Sequence, residues 1–463
     1  MREFELIIDE AFKNGLSPEE TVPFNSQLLW ECLGFRCGKL GLEAYVAGEN
    51  PLPVAVDIHY TWPFPQFIMG ERYNFLIVRD STVNFEDVVY LVSDDMATVT
   101  HIFSVDVLTF GQGTLMEVAD FGEYAFMTNG VIMIYWDTTI DDWTEVIAHA
   151  NIPMMRTICN FKGQAVGGNI VSAWYDCDDT FYVWSQIGEI SFTPEEDNEA
   201  GYRRCPYGGV VYHVRKLGDA VVGYSSKGIT LLTPVGDPVS TLGFKELSNI
   251  GLVNKGAMNG DEFRQVYVGE DLIVRGITKE GIKEFGYQHL MEGLNSEDII
   301  VGFNKSNGDF YIGNSSKTYL LSPNGMTEIQ QHPSAVWKTD ANEVSMLPET
   351  EDAHLPLIIT EVFNMGYSGK KTIATIETDA VLATDPGAGI DWADNSVTFT
   401  SENYKPMNNQ GVTSIDGSGD FFRFRLRFSD IFDTFRISYM KVRYKMTDLR
   451  AIRGVYAPPL RGQ

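Results

Sequence analysis

Short apolar runs follow one another between about residues 55 and 337, some alternating with polar residues and some continuous, and each is closed by Gly, Asn, Asp or Ser. The runs at 88–92, 131–136, 210–214, 220–224 and 229–232 are of this kind. Their length, their Val, Ile and Tyr content and their bounding turns predict strands. The turns come in two sorts. Thr128-Asn129-Gly130, Ser225-Ser226-Lys227-Gly228 and Asn314-Ser315-Ser316-Lys317 each precede an apolar strand, and Asp137-Thr138-Thr139, residues 233–237 and Ser322-Pro323-Asn324-Gly325 follow one. Units of strand, turn and strand start near 55, 118, 155, 209, 250 and 298. A spacing of about 40 residues is the period of four-stranded propeller blades. The expectation is an all-β chain with a β-propeller of about six blades, five to seven remaining open; a large β-sandwich or irregular barrel is the rival.

The pattern differs on either side. Residues 1–54 read as an N-terminal arm and opening strand, with Ser17-Pro18 placed as a helix start. Residues 338–354 are polar and read as a linker. Residues 355–463 give a second set of strands, at 357–363, 371–376, 396–399, 421–428 and 435–444, with tight turns at Asp385-Pro386-Gly387 and Asp416-Gly417-Ser418-Gly419. This is the pattern of a small antiparallel β-sandwich-like domain. Within it, Arg423, Arg425 and Arg427 alternate with Phe422, Phe424, Leu426 and Phe428. A two-residue period puts the arginines on one face and the apolar residues on the other. Like charges in a row repel unless acids or phosphates face them, so either protein carboxylates or nucleic-acid phosphates are expected opposite.

Charge sharpens that choice. The 463 residues carry 35 Lys and Arg against 63 Asp and Glu, a net of −28. Residues 421–463 hold ten basic and three acidic residues, a net of +7, which leaves 25 and 60, a net of −35, for the rest. An acidic body repels duplex phosphates and argues against tight non-specific DNA binding by it. Two readings of the acid stand: solubility, or a surface past which nucleic acid moves without sticking. The basic end supplies the candidate interface or phosphate-facing residues: Arg423, Arg425, Arg427, Lys441, Arg443, Lys445, Arg450 and Arg453.

Candidate chemistry adds little. His59, His101, His149, His213, His289, His332 and His354 form no His-Glu-x-x-His or close pair. There is no Gly-x-Ser-x-Gly and no Walker loop, and Gly111-Gln112-Gly113 lacks a third glycine. In Asp94-Asp95, Asp141-Asp142 and Asp178-Asp179 the neighbours would point to opposite faces of a strand, so a doublet is not the facing pair of glycoside cleavage. Cys32, Cys37, Cys159, Cys177 and Cys205 lack framework or zinc spacing and read as reduced thiols. No cofactor or metal is expected. No apolar stretch reaches the ~18–20 residues of a membrane helix, and no secretory signal is expected at the N-terminus.

Several phrases carry a resemblance: Gly369-Lys370-Lys371-Thr372-Ile373, residues 419–425 and 441–450 near the C-terminus, residues 161–168 and 218–225, and residues 31–36 with Gly41-Leu42-Glu43. Together they resemble the β-propeller tail nozzle, also called tail accessory or packaged-DNA-stabilisation, proteins of short-tailed bacteriophages. The resemblance implies a non-enzymatic virion structural protein, assembled in the bacterial host cytoplasm. It implies a ring, read as a hexamer, that extends or closes the DNA exit channel and docks on the adaptor and portal, with tail fibres as further partners. Genomic DNA would pass without specific binding. The N-terminal arm and the basic end would dock on neighbouring subunits or on the ring above. The alternatives are a glycan- or receptor-binding propeller of a virion, for which eight Trp and 21 Tyr supply stacking platforms, and a glycoside hydrolase or lyase.

Overall fold

A computed structural model of the chain describes residues 3–10, 12–45, 48–49, 57–60, 65–68, 71–80, 86–93, 99–106, 117–121, 124–128, 133–137, 142–145, 151–237, 240–304, 307–338, 344–351, 355–380, 384–431 and 435–447. The protein is all-β, built of many small antiparallel sheets, and among the described residues the one helix is the single turn Gln288–Met291. The chain divides into two compact units. One comprises Met1–Val46, Lys317–His332 and Glu351–Gln463, and the other comprises Ala47–Ser316 and Pro333–Thr350. The expected segments were 1–54, 55–337, 338–354 and 355–463. In the structure the first 46 residues belong with the C-terminal ones, and the stretch read as a linker contains the strand Val344–Glu351.

In the larger unit, four-stranded sheets follow one another along the chain, each with its strands in sequence order. Glu117–Asp120, Tyr124–Thr128, Met133–Asp137 and Asp142–Glu145 form one. Sheets opening with Met155–Phe161, Val211–Leu217 and Met258–Gly260 repeat the arrangement. A sheet containing Glu71–Asp80, Glu86–Ser93 and Val99–Asp106 precedes them, and the paired strands Ile300–Asn304 and Asp309–Asn314 follow. The opening near 250 is displaced to Met258 because residues 249–257 form a loop.

Each core lies between one sheet and the next. Phe126, Met155, Ile158, Val183 and Phe192 fill the first interface, Tyr182, Trp184, Val211, Val214 and Val221 the second, and Leu217, Val222, Tyr224, Met258 and Tyr267 the third. An inner strand is therefore covered on both faces, which is why its apolar residues run on rather than alternate. Gln164–Ile170 is buried throughout. Close approach of neighbouring sheets also sets where glycine is needed: a Cβ at Gly223 would lie 2.4 Å from the hydroxyl of the fully buried Tyr182 in the preceding sheet. Side-chain hydrogen bonds cross the second of these interfaces and the one that follows the third, each at the same interval. Asn169 Nδ2 donates to the Val211 carbonyl (2.9 Å), Asn254 Nδ2 to Ser296 (2.7 Å), Asn259 Nδ2 to Val301 (3.0 Å) and Thr241 Oγ1 to Glu199 (3.0 Å), each over 42 residues.

The smaller unit has two main sheets. In the first, Gly325–Ile329, Leu29–Leu33, Leu357–Thr360, Phe421–Arg427 and Gly387–Ala393 lie side by side. The second runs Glu3–Asp9, Tyr439–Met446, Lys371–Thr378, Val412–Gly419. Gly387–Ala393 packs on Val412–Gly419. Phe422, Phe424, Leu426 and Phe428 are buried, as their alternation requires.

Three local expectations are corrected. Ser17 starts no helix; its hydroxyl accepts from the Glu19 amide (3.2 Å) in a local turn. Residues 396–399 are not a strand, because Asn395 Oδ1 accepts from the amides of Val397 (3.0 Å) and Thr398 (2.8 Å) and curls the chain. Asp416-Gly417-Ser418-Gly419 is not a turn but the end of the strand Val412–Gly419. There the glycine makes room between the sheets, since a Cβ at Gly417 would meet Ile390 Cδ1 at 2.3 Å. The N-terminal strand pairs antiparallel with Tyr439–Met446 of the same chain, from Glu3↔Lys445 to Asp9↔Tyr439.

Candidate functional site

The predicted basic residues fall into two groups, both in the smaller unit. Lys441, Arg443 and Lys445 lie on Tyr439–Met446, flanked by Glu3–Asp9 on one side and Lys371–Thr378 on the other. Acids on the flanking strands answer them. Arg443 Nε donates to Glu5 (3.1 Å), Lys441 Nζ lies 3.3 Å from Glu377, and Lys445 Nζ lies 3.0 Å from Glu3. The Lys445 contact holds the Glu3 carboxyl below its usual range. Exposed pairs of this kind contribute little to stability, because water and salt screen them. Arg450 and Arg453 lie outside the described residues.

Arg423, Arg425 and Arg427 project from Phe421–Arg427 onto a face paved with aromatic rings. The Arg423 guanidinium lies 4.2 Å from the centroid of Trp30 and 4.8 Å from that of Phe399. Arg425 and Arg427 lie 4.8 and 4.6 Å from the ring of Tyr404. Across the sheet they face Asp391, Gly389 and Gly387 in turn. Tyr404 lies over these positions, its atoms 3.5 to 3.6 Å from where a Cβ at Gly387 or Gly389 would stand, an ordinary van der Waals distance. Arg425 is partnered: it donates to the Glu402 carbonyl, and its Nε sits 2.9 Å from Asp391 as an ion pair without hydrogen-bond geometry. Arg423 has no hydrogen bond or ion pair among the described residues, and its Nε is buried without a partner. The carboxyl of nearby Glu361 is pushed up by burial, against the pull of Arg423. Arg427 is exposed and likewise unpaired among the described residues. The face thus holds two guanidinium groups supported by aromatic rings, with donors left to offer.

The larger unit contains a polar cluster that sequence reasoning missed. Glu117, fully buried, meets His213 and Arg215 from a sheet almost a hundred residues away. Arg215 forms a fork with it, Nη1 at 3.0 Å from Oε2 and Nη2 at 3.2 Å from Oε1. Ile158 N donates to the same carboxylate (3.1 Å). Burial alone would raise the Glu117 pKa, but Arg215 and His213 pull it down to about 2. The His213 ring faces two acceptors, Glu117 Oε1 at Nδ1 and the Lys255 carbonyl at Nε2. Its doubly protonated form satisfies both, while burial works against that form and lowers its pKa. Lys255 is lowered to about 8, chiefly by burial. One carboxylate thus ties three successive sheets together, a structural staple rather than a reactive pair. A cavity of about 200 Å³ lies alongside, with Asp120, Asn160, Arg215, Asp261 and Glu262 in its lining.

Elsewhere on this unit, Tyr175 and Tyr202 stack at 5.5 Å and 20°, both exposed, with Trp174 edge-on to Tyr175. Tyr175 and Asp176 are successive left-handed residues (φ 43° and 56°), a conformation that costs ordinary residues about 1–2 kcal/mol each. The five cysteines are buried free thiols, and burial pushes Cys159 up to about 12 and Cys177 to about 11. Among the described residues no group of His, Cys, Asp and Glu is placed to hold a metal ion. No helix among them is long and apolar enough to cross a membrane.

No family model matches the chain, and no curated protein matches it. Among solved structures it is similar to PorZ, an essential bacterial surface component of the type-IX secretion system of Porphyromonas gingivalis, at 11% identity and a TM-score of 0.36 over 66% of this chain and 40% of that one. It is also similar to the extracellular domain of the putative one-component system BT4673 from B. thetaiotaomicron, at 9% identity and a TM-score of 0.35 over 69% of this chain and 44% of that one. The chain thus spans less than half the length of either, and likeness at this level says nothing of what it does.

Proposed function

We propose that this protein is a virion structural protein of a tailed phage. Its larger unit would be a β-propeller of about six blades and its smaller unit β-sandwich-like. Copies would assemble into a ring, read as a hexamer, that extends or closes the DNA exit channel and docks on the adaptor and portal. The observation that carries the reading is the segregation of charge, −35 before residue 421 and +7 after it. Ring closure uses head-to-tail contacts between different surfaces of identical subunits, and opposite charge on different parts of one chain suits such contacts. An acidic lumen would let DNA slide by like-charge repulsion. The run of in-order four-stranded sheets supports the propeller, and the resemblance of 369–373, 419–425 and 441–450 to tail nozzle proteins supports the virion.

Light scattering on the purified protein, with negative-stain images of the same fractions, tests this. Rings with a central hole, alone or on addition of portal and adaptor proteins, are expected. A stable monomer or trimer that ignores those partners would sink the reading. The exposed Tyr175–Tyr202 stack favours a second reading, a receptor- or glycan-binding propeller, because flat exposed rings suit sugar faces. Retention on immobilised host polysaccharide, lost in Tyr175→Ala, would move the assignment there.

A further inference from the structure

We infer that the Trp30–Arg423 face receives the acidic loop at 193–200 of a second copy of this chain; this rests on the ring reading above. Two features, one on each unit, each lack a partner that the other would supply. On the smaller unit, Arg423 is held between Trp30 and Phe399 without an ion pair among the described residues, and Arg427 lies over Tyr404 in the same state. Trp30 is 53% exposed. Trp, Tyr and Arg are the residues that dominate binding energy at protein interfaces, and a guanidinium pre-set by ring stacking loses little freedom when a carboxylate arrives.

On the larger unit, Glu195, Glu196, Asp197 and Glu199 occupy one short loop, and none of their carboxylates has an ion pair or hydrogen bond among the described residues. The loop is not slack. Asn198 Oδ1 accepts from the amides of Glu195 (3.1 Å) and Ala200 (3.2 Å), and its Nδ2 donates to the Thr193 carbonyl (2.9 Å). Four like charges are thus held together by an internal brace, a cost that a cationic partner would offset. Arg423 and Arg427 are four strand positions apart, about 13 Å, so two carboxylates of one loop can each meet a guanidinium. A second copy is preferred over nucleic acid as occupant because the chain at −28 repels a polyanion but carries its own matching acidic loop.

The test uses the full chain. Association is followed by mass photometry over a concentration series for wild type, R423E, the triple reversal E195K/E196K/D197K, and the two combined. Each reversal alone is expected to raise the half-association concentration about tenfold or more, and the combination to recover most of that loss. A photo-crosslinking residue placed at position 30 of the otherwise wild-type chain, which does not depend on how R423E folds, is expected to join the peptide containing 193–200 of another copy. If wild type forms rings and R423E forms them equally well, or the crosslink maps elsewhere, the contact is overturned and the ring stands. If wild type stays monomeric even with portal and adaptor, the ring reading falls and takes this contact with it. A labelled single-stranded oligonucleotide that binds wild type and not R423E, with the mass series unchanged, overturns the contact in favour of nucleic acid.

Discussion

At the scale of single residues, Glu117 shows how a charged group becomes a structural part. Its carboxylate is removed from water, and Arg215, His213 and the Ile158 amide replace the lost solvation. Taking one member from such a set leaves the others buried and uncompensated, which costs about 3–5 kcal/mol. Glu117→Gln is therefore expected to lower the urea midpoint markedly at neutral pH. The pH dependence follows from the shift. Folded Glu117 titrates near 2 against a usual 4.5, so between those values the unfolded chain binds more protons than the native one. The contribution is complete above about pH 4.5 and is lost as pH falls toward 2; the shift is worth about 3 kcal/mol. The gap in stability between wild type and Glu117→Gln should therefore narrow on going from about pH 6 to pH 3. Equal gaps at both would show that Gln loses packing rather than charge.

At the scale of elements, what the sequence revealed and what it hid have one physical cause. Strands buried on two faces announce themselves as apolar runs, so openings read near 118, 155 and 209 lie close to Glu117, Met155 and Val211. A glycine is ambiguous in a sequence, since it serves both a turn and a close approach of two sheets; Gly417 was misread on that account. The contacts that join sheets are silent, because Asn169 and Val211 are 42 residues apart and only the folded interface brings them together. Asn169 does two jobs there. It is buried, it adopts φ 58°, and its amide reaches the Val211 carbonyl. Asn169→Ala loses the bond and keeps the strained backbone, whereas Asn169→Gly loses the bond and relieves the strain. Chemical unfolding should rank them wild type, then Gly, then Ala, with Gly and Ala separated by about 1 kcal/mol. An Ala variant as stable as the Gly variant would show that the left-handed backbone relaxes.

At the scale of the whole molecule, the first described strand pairs with the last one, Glu3–Asp9 with Tyr439–Met446. Glu3–Asp9 forms an edge of the sheet whose next strand is Tyr439–Met446, and two of its acids face bases there, Glu3 opposite Lys445 and Glu5 opposite Arg443. Reading along the sequence cannot find that pairing, because a strand's own pattern states which face is apolar but not which strand lies beside it. The alternation Glu3, Glu5 opposite Lys445, Arg443 is legible only in hindsight. The pairing gives Glu3–Asp9 a role inside its own subunit, and this can be tested without any partner. Deleting residues 2–9 removes the acids from Lys445 and Arg443 and opens one hydrogen-bonding side of Tyr439–Met446. Amides of that strand that point toward Glu3–Asp9 should then exchange about tenfold faster or more, the ratio that corresponds to about 1.4 kcal/mol of local stability. Amides in Val211–Leu217, in the other unit, should keep their protection. If protection in Tyr439–Met446 survives the deletion, Lys371–Thr378 on its other side is enough to hold it. The N-terminal strand would then be free to serve a neighbouring subunit.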